Sequence, residues 1–514
     1  MGSNVSVIAP SLMIVVATSF IAHGFIKSLF RKGPPGPYPW PIVGNLLSII
    51  SYNAKGKLGE YFDGLTNKYG DIYNVKFRPG LDMVLSTDIN VGKLILTSPD
   101  FSRKSPFIES SSDILNDALF ALPSGERWKV HRKFIQPAFG PSHLRHSVAV
   151  SLKIVEKVKK MFDLWISNSD TEFVVTDVTG LFSSITLDVI GEVAFTHNFG
   201  AVGSFSSHEN NKSLKYFGDI ISILMRRTLL PWWLWRVSGI SPTSPWVVET
   251  RNGTSGIVEN VLENRVLEMK ENGGDPIRKP LDMDILDRLL VSANDGSQRF
   301  SHEEIVGEIL GFFLAGHETT STCLSTVFYE TCRDRRVMEK LVAEIDAVYD
   351  ELHGDINIEN ISKFKYVDQV IKETLRLHPI VSSLARISVV PVEIQGYQLP
   401  AGTHIAMRLR ALQRDPRYWD APLKFNPERF DSQPVPGSYF PFGEGPMTCI
   451  GQKLALLEMR LVIIYLLRHF SFQIHDEKDI HVFVTISTKF KNGLKLNVAR
   501  RDVPSFVGSA IAAI

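Results

Sequence analysis

Ten residues concentrate the chemistry of this chain: Phe442-Gly443-Glu444-Gly445-Pro446-Met447-Thr448-Cys449-Ile450-Gly451. They run straight into an apolar stretch with helical spacing over 454–467. Glycines let a backbone approach a flat ligand closely. A cysteine just ahead of a helix N-terminus is favoured as thiolate by the macrodipole, and amides there can hydrogen-bond its sulfur. Those are the needs of a thiolate ligand to iron, with Cys449 as the ligand. The competing reading, a small buried hydrophobe, suits Cys323 and Cys332, which lie within or near the end of a long apolar helix.

That helix carries the second group. Ser301 and Glu304 have the spacing of a capping box, and the apolar run continues to about Arg333. Near its middle stands Ala315-Gly316-His317-Glu318-Thr319-Thr320. Polar side chains in a core-spanning helix must be paired or solvated in a cavity. Gly316 weakens the helix locally by ~1 kcal/mol relative to Ala. A threonine bonding back to a carbonyl, with Glu318 on the solvent face, is the structural alternative. His317-Glu318 does not begin a zinc motif, because position 321 is Ser and the second His is missing. A third group is Glu373 and Arg376, which share one helix face at i, i+3 before Pro379 stops the helix. As an exposed pair they would be worth little. Arg429, in Pro427-Glu428-Arg429-Phe430, could complete a buried three-residue network.

The chain that must position these groups has 514 residues, 44% apolar and 22% charged, the composition of a packed globule. Its net charge of +1 gives no basic excess that would argue for nucleic acid. Three cysteines exclude a disulfide scaffold and suit a reducing compartment. Helical spacing recurs over 148–165, 177–195, 255–269 and 282–292, and β-type segments fall at 72–77, 83–86 and 391–399. Residues 414–441 are turn-rich and Pro-rich, and a long irregular stretch inside a compact domain is usually functional. No linker or repeat divides the chain after residue 42. The expectation is one large, mainly α domain with small β-sheets over 42–500, and a tail over 501–514.

Ahead of it lies a membrane signal. Residues 5–26 contain no Asp, Glu, Lys or Arg. As a helix they would span about 33 Å, against a hydrocarbon core of ~30 Å. Lys27, Arg31 and Lys32 follow at once, and the basic n-region and small-residue cleavage site of a signal peptide are both missing. Residues 1–33 therefore read as a single-pass anchor with a basic stop, N-terminus outside and the globule cytoplasmic. Residues 34–41, proline at every second or third position, read as a stiff hinge. Trp232, Trp233 and Trp235 fall within four residues, which suits a headgroup interface, with core packing as the alternative.

Taken in order, these features resemble the cytochrome P-450 monooxygenases, haem-thiolate enzymes, over roughly residues 34–500. The resemblance implies their fold, with one large haem domain behind a transmembrane helix. It makes Cys449 the axial ligand of haem b, in a loop with Phe442, Gly445 and Gly451. Trp128-Lys129-Val130-His131-Arg132 is similar to the helix whose Trp and Arg hold a haem propionate. Glu373, Arg376 and Arg429 match the family's buried network. Thr319 would hydrogen-bond dioxygen or an ordered water, Glu318 would feed protons to it, and Gly316 would open the helix to admit oxygen. One position departs: the family usually has Arg two residues before the Cys, and here it is Met447. The propionates then fall to Trp128, Arg132 and Arg386.

No Gly-x-Gly-x-x-Gly nucleotide fingerprint is visible, so NADPH would act only through a partner. The resemblance implies an NADPH–cytochrome P-450 reductase, with cytochrome b5 as a further partner. Arg127, Lys129, Lys133 and Lys453 could make a basic docking face for an acidic flavoprotein, with an ordinary solvated face as the alternative. It also implies the endoplasmic reticulum membrane, membrane lipid as a neighbour, and a hydrophobic substrate such as a terpenoid, steroid or fatty acid, in secondary or lipid metabolism. Ser382 and Ser383 are candidate polar anchors for that substrate. Two other classes compete: a haem-thiolate isomerase or dehydratase acting on a peroxide, and a non-catalytic haem or lipid-binding protein. The Glu318-Thr319 pair argues against the first, and only Met447 supports the second.

Overall fold

The computed structural model describes residues 33–104, 112–115, 117–276, 278–279, 282–294, 300–480, 482–484 and 488–501. The expected anchor over 5–26 and the tail from 502 lie outside the described residues.

The helix His302–Arg333 runs through the centre of the fold, 32 residues long and buried along most of its length. Its capping box is formed: the Glu304 amide donates to Ser301 Oγ at 3.2 Å, and the Ser301 amide donates to Glu304 Oε2 at 2.8 Å. The helix Val178–Phe195 crosses it most closely. That helix is long and apolar enough to span a membrane, yet 78% of it is buried inside the fold, so it is a core helix. The helices Lys365–Leu377 and Gln452–His469 pack on the central helix from other sides, and Pro141–Ser167 lies against Gln452–His469.

Five strands form the main sheet, in the order Ile72–Arg78, Leu81–Ser86, His404–Met407, Leu384–Ile387 and Arg103–Lys104. Leu81–Ser86 and His404–Met407 pair parallel, Met83 opposite His404, and the other neighbours are antiparallel. A three-stranded sheet joins Phe173–Asp177, Lys495–Arg500 and Phe470–Ile474. Two hairpins complete the β structure: Val392–Ile394 with Tyr397–Leu399, and Val482–Val484 with Thr488–Phe490. The chain is thus mainly α with small sheets.

Two elements differ from their sequence reading. Residues 391–399 are two short strands, because Gln395 and Gly396 both take positive φ (49° and 79°) and turn the chain back. The helix expected from 255 begins at Pro245, with Ser244 at its N-cap position. Gly253 within it is a packing residue: a Cβ there would lie 2.4 Å from the Tyr216 ring. Residues 414–441 are irregular apart from short turns.

Candidate active site

The Cys449 loop is shaped by its glycines and by one carbonyl. Gly443 and Gly445 have φ of +77° and +74°, where L side chains are strained. At Gly445 the close approach is to protein: a Cβ would meet the Leu96 carbonyl oxygen at 2.3 Å. Gly451 is the N-cap of the following helix, with ordinary φ and only Phe139 in van der Waals range of a Cβ. The loop closes where the Cys449 amide donates to the Phe442 carbonyl at 2.9 Å, with Thr448 Oγ1 donating to the same oxygen at 3.4 Å.

Of the three cysteines, only Cys449 is exposed. Its sulfur is reachable from a cavity of about 790 Å³ lined by Trp128, Arg132 and Phe139, with Lys129, Lys133 and Lys453 on the walls. Protein surrounds it on its other sides, and that burial pushes the thiol up. The Gly451 amide, the Arg132 guanidinium and the Gln452 amide pull the other way. Burial pushes Cys323 and Cys332 up to about 12, with nothing opposing it.

The helix Glu126–Ile135 brings in Trp128 and Arg132, and contacts with two buried carboxylates fix it to the central helix. His131, fully buried, meets Glu308 Oε1 through Nδ1 at 2.6 Å and Glu304 Oε1 through Nε2 at 3.3 Å. Arg127 pairs with the same Glu304. Arg132 Nη1 donates to the Thr448 carbonyl at 3.0 Å, beside the thiol. Arg386 is buried in the main sheet, and its one described hydrogen bond is to the Ala385 carbonyl.

On the central helix, Ala315 and Thr319 are exposed, one turn apart, between positions that are mostly buried. Thr319 Oγ1 donates back to the Ala315 carbonyl at 2.8 Å. Gly316 faces the neighbouring helix: a Cβ would stand 2.6 Å from Ile190 Cγ1. Its conformation is helical, and the glycine allows a close helix crossing there. Glu318 is not free. Its Oε1 pairs with Lys489 Nζ at 2.5 Å, from the hairpin strand Thr488–Phe490.

The Glu373 network is assembled and buried. Arg376 Nε and Nη2 donate to the two Glu373 oxygens at 2.6 and 2.9 Å, and Arg429 Nε donates to Glu373 Oε1 at 3.0 Å. Arg376 Nη1 also donates to the carbonyls of Gln413 and Pro422, so the network pins the irregular 414–441 segment to a helix. Ser383 Oγ accepts from Arg408 Nη1 at 3.2 Å, which occupies one of the two serines expected to anchor substrate.

These residues fit a haem. A thiol with two amides aimed at its sulfur suits a thiolate ligand. Arg132 and Arg386 pair with no carboxylate among the described residues, so an anionic ligand would complete them. Lys104 and Lys489 went unread in the sequence, having no motif around them; each is recognised only by what it touches.

Such a site defines the class: a helical haem-thiolate protein with its ligand cysteine just ahead of a helix N-terminus. The family model described as Cytochrome P450 matches residues 34–493. Cytochrome P450 4d2 of Drosophila melanogaster is 30% identical, over 89% of this chain and 92% of that protein. Cytochrome P450 3A9 of Rattus norvegicus is 30% identical over 91% of each chain, and cytochrome P450 3A29 of Sus scrofa 28% over 96% of each. The chain belongs to the cytochrome P450 family. It is a monooxygenase that binds haem through a cysteine thiolate and receives its electrons from a redox partner.

Proposed function

We propose that this chain is a membrane-anchored monooxygenase of the endoplasmic reticulum, with Cys449 as the haem ligand. Its electrons would come from NADPH–cytochrome P-450 reductase, and it would hydroxylate a hydrophobic small molecule of the terpenoid, steroid or fatty-acid kind. The observation that carries the ligand assignment is the contrast among the cysteines. Cys449 alone opens onto a cavity at a helix N-terminus, while Cys323 is enclosed within a helix and Cys332 is part-buried, its Sγ 3.5 Å from the Phe472 carbonyl.

When bound, the haem supplies the oxygen-activating chemistry, and a thiolate ligand favours cleavage of the O–O bond. The chain's own residues do the rest. Trp128, Arg132 and Arg386 hold the haem carboxylates. Thr319 presents its hydroxyl on the exposed face of the central helix and can pass a proton at Oγ1. Glu318, next in the chain and held by Lys489, is the carboxylate that would replenish it. Lys133 and Lys453, exposed and without ion-pair partners among the described residues, flank the thiolate side and favour an acidic flavoprotein there. Lys129 is engaged by Glu126 at 2.6 Å, and Arg127 by Glu304. Cytochrome b5 would use the same face. A lipid-side entry for substrate is supported by the exposed Trp232 and Trp233.

The test is the carbon monoxide difference spectrum of the dithionite-reduced, membrane-expressed protein, beside Cys449→Ala. A strongly red-shifted Soret band that vanishes in the variant is the expected result. No haem, or a band typical of imidazole ligation in folded protein, would remove the proposal. Product formation that needs both NADPH and O₂ then separates a monooxygenase from an isomerase of peroxides.

A further inference from the structure

We propose that Asp63 is a positioning residue for the substrate pocket: through Arg408 it sets the connection 378–383, and with it which hydrophobic molecules the site accepts. The inference rests on the haem reading above and deepens it. That connection leaves the helix Lys365–Leu377 and enters the strand Leu384–Ile387. Leu384 stands at the ligand loop, since a Cβ on Gly443 would lie 3.7 Å from its Cδ1. Ile380 packs on the main core and Leu384 on a smaller one, yet Val381 between them is 39% exposed. A large apolar side chain held open three residues from the ligand loop is a wall for an apolar ligand.

Arginines hold the connection at both ends. At its start, Arg414 Nε donates to the Leu377 carbonyl at 2.9 Å. At its end, the Arg410 amide donates to the Ser382 carbonyl at 3.2 Å, and Arg408 Nη1 donates to Ser383 Oγ at 3.2 Å. The side chains of Arg408 and Arg410 converge on one acid. Arg408 Nη2 donates to Asp63 Oδ1 at 3.2 Å, and Arg410 Nε donates to Asp63 Oδ2 at 3.1 Å. Asp63 lies on the helix Leu58–Tyr69, 345 residues before Arg408 in the chain. Both guanidiniums are almost fully buried, and Arg408 Nε has no partner among the described residues. The Arg408 head lies over the Phe62 ring at 4.8 Å and is steered by Asp63 on one side and Ser383 on the other. Burial, then Arg410, push Arg414 down to about 9, and Asp63 leads the pull the other way. Asp63 is thus the shared counter-charge of Arg408 and Arg410, and two buried guanidiniums without it are unfavourable. Without the carboxylate Arg408 is expected to turn toward water, releasing Ser383 and loosening the wall at Val381.

The competing explanation is that the ion pairs only tie the helix Leu58–Tyr69 to the sheet. Two azoles separate the explanations. Imidazole and phenylimidazole both ligate haem iron and shift its Soret band, but only the phenyl ring reaches the pocket wall. The experiment titrates each azole into the full-length ferric haem protein. Asp63→Ala and Arg408→Met are each expected to weaken phenylimidazole binding about three- to tenfold, the size of one buried hydrogen bond, and to leave imidazole at the parent's affinity. Ser383→Ala is expected to do the same, and adding Asp63→Ala to Ser383→Ala is expected to cost little more, because the two act on one contact. Asp63→Glu keeps the carboxylate and is expected to bind both azoles as the parent does. Phenylimidazole bound by Asp63→Ala at the parent's affinity, or both azoles weakened alike, would overturn the proposal. So would a full second loss when Asp63→Ala is added to Ser383→Ala. Should Asp63→Ala not fold, Arg408→Met and Ser383→Ala carry the test. Failure of the haem reading itself is seen separately, as a missing thiolate-type carbon monoxide band in the parent before any azole is added.

Discussion

At the scale of single residues, the pairing of Glu318 with Lys489 bears most directly on turnover. Burial alone would raise the Glu318 carboxyl. Lys489, and then His317, outweigh burial and hold it below the usual carboxylate range. A depressed carboxyl is ionised above its folded pKa, and its favourable pairing is lost only as pH falls through that value. Lys489→Met keeps the burial and removes the ammonium, so the carboxyl must titrate at higher pH. If Glu318 replenishes the Thr319 hydroxyl, the acid limb of coupled turnover moves to higher pH in Lys489→Met. The pair is part-exposed and screened by solvent, so the expected shift is upward and modest. The measurement is product formed per NADPH consumed from roughly pH 4 to pH 8, which takes in the carboxylate range and neutrality. An unmoved limb would take Glu318 out of proton delivery.

At the scale of elements, the active-site helix depends on one crossing. The helix Val178–Phe195 meets His302–Arg333 where Ile190 covers Gly316 and where Thr186 Oγ1 donates to the His317 carbonyl at 3.0 Å. Gly316→Val places a branched side chain where even a Cβ would stand 2.6 Å from Ile190. Overpacking of this kind costs about 1–3 kcal/mol, against less than ~1 kcal/mol regained from leaving glycine in a helix. The urea midpoint is expected to fall, with an unchanged slope. Haem content is expected to fall with it, since Thr319 rides on the same helix. A midpoint equal to the parent's would mean that the two helices part without cost. The same pair of elements marks what was legible in the sequence. Ser301 with Glu304, and Glu373 with Arg376, are neighbours along one helix, and three- or four-residue spacing carries them. The crossing at Ile190, the parallel pairing of 83–86 with 404–407, and the reach of Lys489 to Glu318 join residues far apart in the chain. Periodicity has no local trace of such contacts. Gly316 was visible as a glycine, but the Ile190 side chain it packs against was not.

At the scale of the whole molecule, the exposed apolar surface says how the domain would sit on a bilayer. Trp232 is 74% exposed and Val237 87%, and Trp233 lies nearly half exposed between them in the chain. At the end of the hinge Trp40 is 55% exposed, and just beyond it Ile42 is 78% exposed. The helix Leu46–Ala54 packs against Lys212–Leu229, so the chain leaving the hinge and the chain leading to the tryptophans run on neighbouring elements. Isolated exposed apolar residues need no explanation, but tryptophans at two such sites beside a hinge fit a headgroup interface. Trp235, by contrast, donates its indole NH to the Leu230 carbonyl at 3.0 Å and stacks under Arg227, so it belongs to the fold. The full-length protein in nanodiscs whose lipids carry a shallow spin-label quencher is therefore expected to lose tryptophan emission. Trp232→Phe with Trp233→Phe should abolish most of that quenching, the remainder coming from Trp40. Phenylalanine keeps the apolar area, so a Trp232→Ser, Trp233→Ser pair is the functional arm. It should raise the KM for a lipid-dissolved substrate several-fold and leave kcat near the parent's, because it weakens delivery and touches no group near Cys449. Quenching unchanged in the Phe pair would place these tryptophans in water, and entry from the lipid would then need another face.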